Sequence, residues 1–211
     1  MVKDESEKQT EEKIFDAALA VFEEKGFDAA RMQEIADRAG INKALLHYYF
    51  RTKDHLFEAV FDKRMELMFT KIIGVFMTDM PFEEKVRVYY REHISFFEKN
   101  PNLPIFILNE IAQRPERLKR LFARIDYSRV RDVIMKQNGK EMAEYNIGPD
   151  DWSQLMITII SLTVFPYAAQ EIIKVLLGQL GDKTDFNSFM HDRKSFAADF
   201  VINSIKNRRQ I

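Results

Sequence analysis

The chain has 211 residues, 46% of them hydrophobic and none of them cysteine, so it can bury a sizeable core in one or two domains without a disulfide framework or a thiolate metal site. Its formal net charge of -1 excludes a general polyanion binder, because sequence-independent affinity for nucleic acid grows with the number of phosphates neutralised. The charged start MVKDESEKQTEEK lacks a signal peptide's apolar core, and the longest apolar run, 155–169, falls short of the roughly 20 residues that span a bilayer; the expected location is the cytoplasm.

Residues 1–8 read as a disordered tail. Over 10–25, Ile14, Ala17, Ala18, Val21 and Phe22 recur at helical spacing, with Gly26 as terminator. Two short helices follow, meeting at Gly40, the second covering 43–49. Thr52 then caps a long helix, 53–77, that carries Leu56, Phe57, Val60, Phe61, Met65, Met68, Phe69, Ile72, Ile73 and Phe76. One small bundle cannot cover so wide an apolar set. The helix is therefore expected to enter a second core and to link the two mechanically. Pro81 opens a helix to about residue 99, the Pro-rich stretch 100–104 breaks it, and 105–113 is a short helix. Residues 115–144 are helical in pattern, with an interruption near Asn138-Gly139. The last two helices run over 149–178 and 185–207, joined by residues 181–184. Pro166 lies inside the first of them and cannot donate to the carbonyl of Leu162, so a kink is expected there. No alternating strand pattern, internal repeat or low-complexity linker occurs. The expected fold is all-α, with about nine helices.

The stretch 31–56 has the spacing of a major-groove reader. Ile35, Ala36 and Ala39 give the first short helix a small apolar face, and Gly40 tolerates the left-handed backbone of a sharp turn. Ile41 plugs the corner, and Asn42 is a natural N-cap for the next helix. Leu45, Leu46 and Tyr49 face inward; Lys43, Ala44, His47 and Tyr48 point outward or toward the helix start. Ala36 lets the helices cross steeply, which is how a helix-turn-helix presents its second helix to DNA. Over 31–53, five basic residues against two acidic leave +3, whereas the segment before it is markedly acidic.

These residues resemble the tetracycline-repressor (TetR) family of transcription regulators. The likeness rests on Gly26-Phe27, Ile35-Ala36, Ala39-Gly40-Ile41, Lys43, Tyr49-Phe50, Lys53 and Leu56, and it covers the N-terminal quarter to third of the chain. Arg31 stands where the family usually has a capping Ser or Thr, Ala44 where Gly is frequent, and His47-Tyr48 reverses the common order. The resemblance implies an N-terminal three-helix helix-turn-helix DNA-binding domain over 8–55 and a C-terminal effector-binding and dimerisation domain over 56–211. It also implies a ligand-responsive regulator, most simply a repressor, that binds palindromic operator DNA as a homodimer and is released by a small apolar or amphipathic effector. The DNA-contacting residues expected are Arg31, Lys43, Ala44, His47, Tyr48, Tyr49 and Lys53, with Lys53 gripping phosphate at a helix N-terminus.

Aromatic and Met residues in the C-terminal helices are ordinary core by composition; under the resemblance, Phe97, Phe106, Met135, Trp152, Met156 and Phe165 become candidates to line an effector cavity. Leu155, Ile159, Thr163, Phe189, Phe196 and Phe200 on the last two helices offer more apolar surface than a peripheral hairpin needs. They are expected at a homodimer interface. No phosphate-cradling loop, dinucleotide fingerprint, nucleophile elbow or zinc helix is present, so neither an enzyme, a cofactor nor a metal is expected. The alternative is an effector-binding or protein-interaction bundle whose DNA reading has decayed.

Overall fold

The computed structural model describes residues 5–123, 126–181 and 184–207, and among them there are helices and turns but no strand. The chain divides into two compact units between Met68 and Phe69.

In the first unit, α1 (Glu5–Ala29) bends at Gly26, whose φ of 73° needs a residue without a Cβ. Residues 5–8, expected in a tail, are already helical; residues 1–4 lie outside the described residues. α2 (Met32–Ala39) packs on α1, and α3 (Lys43–Tyr49) follows the turn. The first part of α4 (Lys53–Met77) completes this core with Leu56, Phe57, Val60, Phe61 and Met65, all buried. Phe57 meets Phe22 at 4.8 Å and Phe27 at 5.0 Å between ring centres. The unit therefore continues past residue 55.

The second unit is arranged around α5 (Phe82–Glu98), which buries Phe82, Val86, Tyr89, Tyr90, His93, Ile94 and Phe97 at intervals of three and four residues. α11 (Phe186–Asn207) lies along it, brought close by Ala197 and Ala198. Three ion pairs, Lys206–Glu83, Arg87–Asp199 and Lys194–Glu98, run down the seam. α6 (Leu103–Gln113), α7 (Pro115–Phe122), α8 (Tyr127–Glu144), α9 (Trp152–Ala168) and α10 (Gln170–Gln179) complete the unit.

Eleven α-helices thus stand among the described residues where about nine were expected. The 115–144 segment divides into α7 and α8, and 149–178 divides at Ala169. No break occurs at Asn138-Gly139: α8 runs through both, and the Asn138 side chain bonds to Lys85 of α5 and to the carbonyl of Met80 before it rather than to its own backbone. Residues 182 and 183 of the expected 181–184 connection lie outside the described residues.

At Pro166 the expected loss is real and is repaired from elsewhere. The carbonyl of Leu162, which the proline at 166 cannot serve, accepts Nε–H of Arg193 at 2.9 Å. The sharp turn comes three residues later, where α9 and α10 meet at 82°. No single helix among the described residues is long and apolar enough to cross a membrane.

His93 is 3% exposed and stacks on Tyr89 at 4.4 Å. Burial pushes its pKa down from 6.5 to about 4. The unfolded chain therefore takes up a proton between those two values that the folded chain refuses, so stability falls as pH drops through that window. The loss is expected to total about 3 kcal/mol, and His93→Phe should remove that share of it. Urea titrations of both proteins at pH 7 and pH 4.5 check this.

Candidate nucleic-acid interface and effector groove

The turn between α2 and α3 is locked by its backbone. Gly40 has φ 68° and ψ 31°, its N–H donates to the carbonyl of Asp37, and the N–H of Ile41 reaches back to Ala36 at 3.0 Å. This is the paired closure that a left-handed residue after a helix permits. Asn42 Oδ1 then accepts the N–H of Leu45 at 2.8 Å and starts α3. Leu46 is fully buried and fixes the rotation of α3. Lys43, Ala44, His47 and Tyr48 consequently face solvent, Tyr48 with 76% of its surface exposed. Tyr49 is half-buried and meets Tyr48 edge to face at 5.5 Å.

His47 Nδ1 lies 3.2 Å from the carbonyl of Arg51. A carbonyl can only accept, so that nitrogen is the donor of the pair. Arg31 stands at the α2 N-cap with extended backbone and no side-chain cap, its side chain exposed. Lys53 is placed differently from the expectation of a simple phosphate grip. Its ammonium donates to the carbonyls of Asp28 and Ala30 at 3.0 and 3.1 Å and lies 4.6 Å from the Phe27 ring centre. Two of its three N–H groups are spent inside the protein.

Two ion pairs to α1 leave the local charge count as it was but change which side chains carry it. Arg38 is forked onto Glu24 at 2.6 and 2.9 Å, and Lys25 pairs with Glu34 at 2.7 Å. α1 thereby pairs one basic and one acidic side chain of α2. Arg51 is exposed and its carbonyl meets His47; nothing local in the sequence distinguishes it from Arg38.

In the second unit a groove of 480 Å3, within the range of small-molecule sites, opens between the end of α4, the start of α8 and the start of α9. Ile72, Ile73, Phe76, Ile134, Trp152, Met156, Ile157 and Ile160 line it, with Ser128, Arg131 and Ser153 as its polar members. Of the six cavity residues expected, only Trp152 and Met156 are there. Phe97 and Phe106 are buried in packing, Met135 is half-buried, and Phe165 is 59% exposed. The residues missed are chiefly isoleucines, which carry no mark in sequence that separates groove from core.

Among the expected interface residues, Phe196 and Phe200 are exposed and stacked at 6.4 Å, while Leu155 and Phe189 are half-buried. Ile159 and Thr163 are corrections. Both are completely buried within the protomer, where Ile159 also closes the groove from behind. His191 faces Glu98 at 3.8 Å, and no group that could hold a metal ion is found among the described residues.

Residues 14–60 match the profile of bacterial regulatory proteins of the tetR family. That segment is a tetR-family DNA-binding domain. The activator FasR of Mycolicibacterium smegmatis is 32% identical to this chain over 82 residues, 39% of the chain and 37% of that regulator, so the match spans well under two thirds of the relative. The fatty acid metabolism regulator of Bacillus subtilis is 24% identical over 139 residues, covering 65% of the chain and 71% of its own length. Among solved structures, the regulator FadR from Bacillus subtilis in complex with stearoyl-CoA has a TM-score of 0.60 at 17% identity, covering 89% of this chain and 97% of that one. At that identity the likeness is one of fold.

Proposed function

We propose that this protein is a transcription regulator that binds operator DNA as a homodimer and releases it when an acyl-chain effector fills the second-unit groove. The observation that carries the DNA reading is the outward face of α3. Lys43, Ala44, His47 and Tyr48 are all exposed on a helix whose position is fixed by a closed turn, a side-chain cap and one buried leucine. Lys43 and Arg31 at helix starts suit phosphate; His47 and Tyr48 suit base edges. The exposed Phe196 and Phe200 support a second copy as their cover, which would set two recognition helices about one DNA turn, roughly 34–36 Å, apart.

The effector class follows from the groove's isoleucine lining and from two relatives, one named for fatty acid metabolism and one solved with stearoyl-CoA. α4 is the element through which occupancy reaches the reading head. A ligand shifts operator affinity only as far as it prefers the arrangement that does not bind DNA, and about 1–3 kcal/mol of coupling corresponds to roughly 5- to 150-fold.

The test is a mobility shift with DNA from upstream of the protein's own gene, without and with stearoyl-CoA. A retarded complex that the ligand releases is expected. Lys43→Ala should weaken binding to all sequences alike and reduce the salt slope by about one. A protein that binds stearoyl-CoA but no DNA would instead be an effector-binding bundle whose DNA reading has decayed.

A further inference from the structure

The buried face of α5 contains a lysine. Lys85 is completely enclosed, and its ammonium donates to the carbonyl of Phe76 at 3.0 Å, Oε1 of Gln137 at 2.9 Å and Oδ1 of Asn138 at 2.7 Å. Three N–H groups meet three neutral oxygens. A buried cation without a bonded carboxylate is costly, and a methionine or leucine would fill a helix face at lower cost. Packing alone does not account for it.

What those bonds join is informative. Phe76 is in the last turn of α4, where carbonyls have no helical donor. Gln137 and Asn138 belong to α8, and their amides reach further: Asn138 Nδ2 donates to the carbonyl of Met80 at 3.0 Å, and Gln137 Nε2 points at that of Met77 at 3.4 Å. One turn on, Glu141 accepts the N–H of Phe82 at 2.8 Å. α8 and Lys85 together hold the whole turn from α4 into α5. The groove residues Ile72 and Ile73 on α4, and Arg131 and Ile134 on α8, all lie N-terminal to these bonds. Phe76 belongs to both sets, lining the groove and giving its carbonyl to Lys85.

We infer that Lys85 is a positioning residue for the effector response: it clamps the end of α4 to α8, so that an occupant of the groove turns α4 about a fixed point instead of pushing its end aside. This rests on the reading that the groove holds the effector. Without the clamp, the same occupant is absorbed by local movement of residues 72–82.

The single tryptophan of the chain, Trp152, lines the groove and reports occupancy directly. Lys85→Met leaves Asn138 without its donor, so the double variant K85M/N138L supplies an apolar pair that keeps the fold. Three measurements are made on wild type and both variants: Trp152 quenching by stearoyl-CoA, operator affinity with and without stearoyl-CoA, and amide exchange of peptides covering 72–82. In the folded double variant, stearoyl-CoA affinity is expected to stay within about twofold of wild type while the ligand-induced change in operator affinity falls at least about fivefold. Exchange over 72–82 is expected to quicken about tenfold, with α11 unchanged. An undiminished operator response, or unchanged exchange over 72–82, in a folded variant that still shows quenching overturns the role of Lys85 alone. No quenching in the wild type overturns the groove reading and with it the response that Lys85 would serve.

Discussion

Replacing Tyr48 with alanine is expected to lower operator affinity roughly 5- to 150-fold, the equivalent of losing one good base contact at about 1–3 kcal/mol. The loss should differ from one operator variant to another, because a base-edge contact is felt only where its base is present. With 76% of its surface exposed, Tyr48 contributes little to the protomer's own packing, so the thermal midpoint should hardly move. His47→Ala belongs to the same experiment, since its side chain is exposed one position before Tyr48 on α3. Fluorescence anisotropy against a panel of single-base operator changes reads both. Equal losses across the panel would reassign these side chains to phosphate, and no loss would remove α3 as the reading head.

Phe196→Asp combined with Phe200→Asp is expected to give a monomer at micromolar concentration by light scattering. Operator affinity should then fall by about 10²–10⁴, because each half-site contact loses the effective concentration that a linked second contact provides. Both rings are more than half exposed and stack on each other, so carboxylates there meet water in the isolated protomer. Circular dichroism of the variant should match the wild type. A dimer that survives both changes would place the interface elsewhere.

The helix-turn-helix is legible in sequence because everything that shapes it is local. Gly40 accepts a backbone that other residues resist, Asn42 reaches an N–H three residues on, and Leu46 needs only the helical period to face inward. The same holds for Gly26 and for the start of α4 at Thr52, whose hydroxyl accepts the N–H of His55. Features that depend on distant partners are not visible in this way. Arg38 and Arg51 are alike on the page, yet Glu24, fourteen residues before Arg38, consumes only the former. Asn138-Gly139 has the composition of a break, but the asparagine is occupied by Lys85, 53 positions away. Ile159 and Thr163 carry the spacing of an exposed stripe. Which side of α9 faces inward is decided by α5, whose Tyr90 hydroxyl reaches the carbonyl of Ile159. The groove was missed for the same reason, since isoleucine on three separate helices marks a cavity only once those helices are assembled.

The bond between Arg193 and Leu162 ties two positions of the chain into a dependency that runs one way. Leu162 needs a donor from outside its helix because residue 166 is a proline. Were residue 166 an alanine, its own amide could serve that carbonyl, and position 193 would be released to vary. With proline in place, most replacements at 193 leave a carbonyl without a donor. Substitutions at the two sites are therefore not interchangeable in order: a lineage that changes 166 first passes through a tolerated sequence, and one that changes 193 first does not. Descendants that keep Pro166 are held to an arginine, or another long donor, thirty-one residues after Leu162.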